Sequence, residues 1–452
     1  MCTRSVLALC AALLTCGVHG RVQPPAVGAQ VGTNTYEPEQ IRLSYLNDPT
    51  AMTVTWMTKD AVASRALFGV GNLNSTAFGI STPFETGSRS ETVHRATLTG
   101  LTPGAQYEYV VGSEHGWSDL KTFTAVPAGA DWSPRLAVFG DMGVENARSL
   151  ERLQLDAALG MYDAVLHIGD FAYDLHDDDG KVGDEFLRMV EPMTARVPYM
   201  VTAGNHEKHL NFSEYKARFT MPGEAENMFY KFEMGPVQFV CISSEFYYYL
   251  EYGTHMAINQ YSWLDAVLKE ANSPESRALR PWLVLFGHRP MYCSNFDDGN
   301  DCLSSADLLR VGIPEQGIPG VEPLLMEYGV DLALWGHVHA YERLWPVYGS
   351  VVMNGTAEEP YTNPGAPVHL ISGSAGAAKH GSYPTETPRE YSAYRSIEYG
   401  FTRLTFHNSS HLNIEQVSED QGGAIIDSTW LKKTAHVPYH QLTRTERGFL
   451  KL

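Results

Sequence analysis

The sequence predicts an all-β N-terminal domain followed by an α/β domain, the latter a two-sheet β sandwich flanked by helices. Three observations lead there. Before residue 127 the chain reads as short alternating strands with no helical periodicity competing. Beyond the loop at 127–134, apolar strands alternate with amphipathic segments. Finally, five apolar runs each end in a short segment of glycine and polar residues of related chemistry.

At 452 residues the chain is long enough for two domains and a large core. The first is placed at 30–127, where strands at 41–45, 52–56 and 107–111 are separated by the turn signals Asn47-Asp48-Pro49 and Thr102-Pro103-Gly104. The second is placed at 133–431, ahead of a polar tail at 432–452. Within it, 145–161 sets Leu150, Leu153, Leu155 and Leu159 among charged residues, as an amphipathic helix does. Further helices are expected at 184–196, 259–272 and 321–328. Strands are expected at 136–139, 164–168, 199–201, 237–242, 283–286, 331–335 and 368–372, with a strand pair within 401–417.

Residues 1–20 carry Arg4, an apolar stretch over 6–14 and small residues up to Gly20, the pattern of a signal peptide too short to span a bilayer. No later apolar run is long enough for a membrane helix, so a secreted or lysosomal protein without a membrane span is expected. Three cysteines lie beyond that segment. Cys293 and Cys302 flank a turn-rich stretch suited to a local disulfide, whereas Cys241 sits inside a strand and reads as a buried thiol. Sequons begin at Asn74, Asn211, Asn354 and Asn408. A formal net charge of −19 argues against nucleic-acid binding, which needs a basic face. The same charge suits a mildly acidic medium, where protonation relieves self-repulsion.

The five strand-end segments are Gly140-Asp141, Gly169-Asp170-Phe171-Ala172-Tyr173, Gly204-Asn205-His206-Glu207, Gly287-His288 and Gly336-His337-Val338-His339. Leaving His206 and Glu207 aside, they supply two carboxylates, a phenol, an amide and three imidazoles where α/β folds bind ligands, beyond the carboxyl ends of strands. Glycine lets the backbone turn sharply and approach an ion closely. Such a donor set serves two neighbouring metal ions and suggests a hydrolase.

In this order the segments resemble those of the metallophosphoesterase superfamily, and specifically the purple acid phosphatases, over about residues 135–417. Residues 98–104, with Tyr107, Tyr109 and Trp56 as the core tryptophan, resemble a fibronectin type III module, as in the long two-domain form of that family. The resemblance implies a ferric site of Asp141, Tyr173 and His339, and a divalent site of Asn205, His288 and His337 taking Zn or Fe, with Mn a further candidate. Asp170 would bridge the two. Hard anionic donors suit Fe(III), and imidazoles with an amide suit the divalent ion. Tyr173 selects the subfamily, because a phenolate on ferric iron gives a purple colour.

The implied activity is acid phosphatase, with a metal-bound hydroxide attacking phosphate monoesters of small molecules or proteins. His206 is the catalytic candidate, holding the phosphate and assisting protonation of the leaving group, with Asp174 or Asp177 orienting it. Glu207 and Arg289 read as structural supports. One departure stands out: plant members carry a histidine pair shortly after the His of the third metal motif, and 289–298 contains none. Asn295 is the substitute hydrogen-bond donor, and Asp297, Asp298 and Asp301 form a solvated acidic loop. Two other readings use the same residues: a phosphodiesterase or nucleotide hydrolase, and a fibronectin-bearing binding protein with an inactive site. Retention of all seven ligand positions speaks against the last.

Overall fold

The computed structural model describes residues 34–297, 300–301, 308–377, 383–384 and 387–441. The expected signal segment, the end of the tail, Cys302 and Asp298 lie outside the described residues, as do the side chains of Asn295, Asp297 and Asp301. Cys293 is disulfide-bonded, and Cys241 is a buried free thiol as expected.

The N-terminal part is a pair of antiparallel sheets. One orders Glu39–Ser44, Ala51–Thr58, Arg89–Thr99 and Ile80–Thr86; the other orders Ser75–Phe78, Arg65–Gly69, Gln106–Ser113 and Gly116–Trp117, with Lys121–Thr124 also on Gln106–Ser113. Alternation puts Trp56, Leu98, Tyr109, Val111 and Phe123 into the core, each nearly or fully buried. Trp56 stacks on His94 with ring centroids 5.1 Å apart. The His94 ring nitrogens are held by Thr58 Oγ1 at 2.7 Å and Ser64 Oγ at 2.8 Å.

Burial lowers the His94 pKa to about 4. The unfolded chain therefore binds a proton that the folded one refuses between roughly pH 6.5 and 4, and stability falls as pH drops through that window. Replacing His94 with Gln is expected to flatten this part of the stability-versus-pH curve, which denaturant titrations at pH 7 and pH 4.5 would measure. An unchanged slope would exclude His94 as its source.

The α/β part holds two sheets. In the six-stranded sheet, Tyr199–Thr202, Ala164–Ile168 and Arg135–Phe139 run parallel, and Gly400–Phe406, His411–Ser418 and Ala424–Lys432 complete it antiparallel. In the seven-stranded sheet, Val237–Cys241, Trp282–Phe286, Leu332–Trp335 and Val368–Ser372 run parallel, between the antiparallel strands Tyr230–Met234 on one side and Tyr341–Leu344 and Ser392–Ser396 on the other. Strands covered on both faces favour apolar side chains on both, which is why they read as largely apolar runs, broken only by the buried polar residues His167, Gln238, His369 and Ser372.

Helices Leu150–Ala158, Lys181–Thr194, His255–Ala271 and Glu322–Glu327 occupy the expected segments, with shorter bounds than 145–161 for the first. The expected leucine stripe of that helix is corrected. Leu153, Asp156 and Ala157 face the core, while Leu155 and Leu159 are exposed. At about 100° per residue, positions 155 and 159 point away from the face defined by 150, 153 and 157.

From Thr35 onward the chain forms one compact unit. The strand Glu39–Ser44 lies against the helix Lys181–Thr194: Glu191 accepts from the Ile41 N–H at 3.2 Å, Thr194 Oγ1 donates to the Ile41 carbonyl at 3.0 Å, and Arg188 pairs with Glu39 at 2.6 Å. Deeper in this contact, Arg218 is fully buried. Its guanidinium meets Asp184 and Glu214 at 2.8 Å each, donates to the Gly180 carbonyl at 2.9 Å, and lies over the Phe84 ring of the N-terminal part.

Candidate metal centre

The carboxyl ends of the parallel strands converge on one rim and are stitched to each other by backbone hydrogen bonds. Gly140 N donates to Ser372 O, Asp141 N to Gly169 O, Gly287 N to Leu334 O and Gly336 N to His288 O, at 2.8–3.1 Å. All seven expected ligands sit along this rim. Two glycines are required by close approach: a Cβ on Gly204 would lie 2.2 Å from Asp170 Oδ1, and one on Gly169 would lie 2.4 Å from His288 Nδ1.

Asp141, Asp170, Tyr173 and His337 adopt φ of 61°, 52°, 52° and 67°. Non-glycine residues are uncommon in this left-handed region, and aspartate and histidine are among those that enter it. A tyrosine there is strained, so the strain falls chiefly on Tyr173, and such strain characteristically collects at functional sites.

The donors form two groups. In the first, Tyr173 OH lies 3.2 Å from Asp141 Oδ1 and 2.9 Å from His339 Nε2, and His339 Nε2 lies 3.5 Å from Asp141 Oδ1. In the second, His288 Nε2 lies 3.3 Å from Asp170 Oδ2 and 3.1 Å from Asn205 Oδ1, and the ligand atoms of Asp170, His288 and His337 fall within 4.8 Å of one another. Ligands bonded to one ion at about 2.1 Å sit about 3 Å apart along a polyhedron edge, so both groups fit a metal. The His337 N–H donates to Asp141 Oδ2 at 2.9 Å, joining the two groups.

The surroundings fix orientation. His288 Nδ1 faces the Ile168 carbonyl at 2.9 Å, leaving Nε2 for the site. Glu207 accepts the backbone N–H groups of Gly204, Asp170 and Phe171 at 2.8, 2.9 and 3.0 Å, pinning two ligand-bearing turns together. Burial, then the neighbouring Asp170, raises its pKa to about 8. Burial disfavours a charged His288, yet the Asp170 carboxylate beside it lifts its pKa to about 10. The phenol of Tyr173 is pushed well up by burial and then by Asp141.

His206 is half-buried and lines a cleft of about 770 Å³ together with Tyr173, His339, Glu145, Asp177 and Glu185. Its backbone N–H donates to Asp170 Oδ1 at 3.0 Å, and its Nδ1 lies 2.9 Å from Asp174 Oδ1. Of the two carboxylates expected to orient it, the hydrogen bond goes to Asp174. Burial opposes the imidazolium, but Asp174 and then Asp170 raise its pKa to about 9. A cation at this place can hold a phosphate oxygen and supply a proton.

Sequence reasoning missed the brace on Arg289. The turn Ser244–Tyr247 supplies Ser244 Oγ to the Arg289 N–H at 2.8 Å and Glu245 to the guanidinium at 2.9 Å. No spacing marks Ser244 and Glu245, which lie far from Arg289 in sequence. Glu207 did carry a signal: glutamate three residues after the residue that opens a helical turn is a capping-box spacing. Among the sequons, Asn74 and Asn408 are exposed, whereas Asn211 and Asn354 are half-buried.

Two covered sheets with carboxylates, imidazoles, an amide and a phenol gathered on one rim define a metallophosphoesterase. Residues 134–341 match the calcineurin-like phosphoesterase model, 38–125 the purple acid phosphatase N-terminal domain, and 366–428 the iron/zinc purple acid phosphatase-like protein C. The chain belongs to the purple acid phosphatases. It is 47% identical to acid phosphatase type 7 of Homo sapiens over 425 residues, covering 93% of this chain and 94% of that protein. It is 49% identical to acid phosphatase type 7 of Danio rerio, covering 91% and 95%. A purple acid phosphatase structure from yellow lupin (Lupinus luteus) seeds shares the fold with a TM-score of 0.71 at 23% identity, covering 88% of this chain and 74% of that one.

Proposed function

We propose that this chain, a metal-dependent acid phosphatase by family, hydrolyses phosphate monoesters over a dinuclear Fe(III)–divalent centre. The observation that carries the reading is the pair of donor groups, each with edges near the spacing one ion imposes and joined through the His337 N–H to Asp141. Asp141, Tyr173 and His339 would hold iron; Asn205, His288 and His337 would hold Zn, Fe or Mn; Asp170 would bridge. When bound, two such ions supply Lewis acidity toward the phosphoryl oxygens and lower the pKa of water.

The chain's own residues do the rest. Glu207 keeps the Asp170 and Asn205 turns in register. His206, held through Nδ1 by Asp174, presents Nε2 to the cleft, where it binds a phosphoryl oxygen and delivers a proton to the departing alkoxide.

Metal analysis with the visible spectrum tests the reading. The purified protein is expected to hold one iron and one divalent ion per chain and to be purple or pink. Tyr173→Phe is expected to lose the visible band while keeping the fold. A fully metallated, active and colourless wild type would overturn the tyrosine–iron assignment. Parallel assays of mono- and diester substrates check the reaction, and a clear diester preference would favour the phosphodiesterase reading instead. Entry into the secretory pathway belongs to the same proposal, with glycans at the exposed Asn74 and Asn408. Enzymatic deglycosylation of secreted protein, followed by mass analysis, checks both.

A further inference from the structure

Arg289 follows a candidate ligand directly, and its side chain reaches another. Its guanidinium NH1 lies 3.0 Å from His337 Nε2. Three contacts hold it there independently of that histidine. Glu245, fully buried, takes Nε at 2.9 Å; Ser244 Oγ takes the backbone N–H at 2.8 Å; and the Tyr248 ring lies under the guanidinium with its centroid 4.3 Å away. Ser244 Oγ in turn donates to the other Glu245 oxygen at 2.9 Å, so the whole brace is one hydrogen-bonded piece. Burial works against the Arg289 charge, but Glu245 keeps the guanidinium cationic.

The contact with His337 has a consequence for ion binding. A neutral imidazole has one nitrogen lone pair free to accept. If an ion takes Nε2, that lone pair is gone. If it takes Nδ1, Nε2 carries the hydrogen and becomes a donor. In either case His337 stops accepting from Arg289. The guanidinium, still held by Glu245 and stacked on Tyr248, is left at the divalent site with an NH1 group that no longer donates to His337.

We infer that Arg289 is a phosphate-binding residue: with the divalent ion in place, its freed N–H groups take a phosphoryl oxygen of the substrate. This supplies a fixed positive charge beside the divalent site, in a chain whose residues 289–298 lack the plant-type histidine pair. Arg289 and His206 then approach the phosphoryl group from different strand ends, one bracing it through an N–H fork and the other through an imidazolium. A planar guanidinium held at one end by a buried carboxylate is well suited to this, because little freedom is lost on binding.

The inference rests on the dinuclear reading, and the experiment separates the two. Inorganic phosphate is titrated calorimetrically into metallated wild type, Arg289→Gln and Arg289→Lys, with metal content measured on each sample. Wild type is expected to bind phosphate. Arg289→Gln is expected to bind it about 10- to 100-fold more weakly, the loss expected for one hydrogen bond to a charged group, with both ions retained. Arg289→Lys keeps the charge beside Glu245 but loses the fork, and is expected to fall between them. Should Arg289→Gln fail to fold, Arg289→Lys decides alone. Phosphate affinity within about threefold of wild type, with ions retained, overturns the inference. So does loss of the divalent ion from the folded variants, which would make Arg289 a support for His337. A wild type that binds no second ion overturns the dinuclear reading, and the role of Arg289 falls with it.

Discussion

Asp170→Asn is expected to abolish turnover and release at least one of the two ions. Under the proposed assignment this carboxylate is shared between both sites, and the amide removes a negative charge that neither group replaces. Asp170 Oδ2 lies 3.3 Å from His288 Nε2 and Oδ1 accepts the His206 N–H, so one side chain sets the ligand spacing and positions the acid. A fall in kcat/KM of at least about 10³-fold is expected, since losing one electrostatic group from a site commonly costs about 10²–10³ and here an ion departs as well. Asparagine tolerates the left-handed backbone at this position, so the fold should survive, which circular dichroism and a thermal melt would confirm. Retained activity with two ions bound would show that the bridging role is misplaced.

Arg218→Met is expected to cost about 3–5 kcal/mol of stability at pH 7, the range seen when one partner of a buried ion pair is removed. The variant leaves Asp184 and Glu214 buried with their main counter-charge gone. Burial raises the Asp184 pKa, and Arg218 is the principal group bringing it back below the ordinary carboxylate value. That contribution is present above about pH 4 and lost as pH falls further, so the gap between wild type and variant should narrow on acidification. Denaturant titrations at pH 7 and pH 3 measure this. Arg218→Met combined with Asp184→Leu and Glu214→Leu should recover much of the loss, because no unpaired charge then remains. If the triple variant is no more stable than the single one, the cost lies instead in packing against Phe84 and against Met57, whose sulfur lies 3.7 Å from the Arg218 guanidinium.

Much of the α/β part was legible because parallel strands buried on both faces leave a predominantly apolar signature, and because glycine before a polar residue marks where most of the runs that carry candidate ligands end. The seven candidate ligands could be read that way, and the fold brings them together on one rim. Other features lacked a local signal. Asp174 and Asp177 are equivalent by spacing, and only the chain's path beyond Tyr173 turns Asp174 toward His206. The strand Ala424–Lys432 lies at the sheet edge with most side chains partly or fully exposed, so it shows no apolar run. The leucines of 145–161 looked interchangeable, yet helix geometry buries Leu153 and exposes Leu155 and Leu159. The brace on Arg289 and the Arg218 cluster join segments distant in sequence, and such contacts exist only after folding.

The left-handed turns also constrain how a site of this kind can be lost across generations. Positions 141, 170, 173 and 337 admit few residues without added strain, chiefly asparagine, aspartate and glycine. Mutation at them is therefore channelled. A descendant released from selection for catalysis could drift to asparagine or glycine at these places and remain folded, whereas a β-branched or bulky replacement would damage the protein as well as the site. Where stable relics of this enzyme have changed at those four positions they should carry chiefly asparagine or glycine, and a sequence showing them there would announce a fold that outlived its metals.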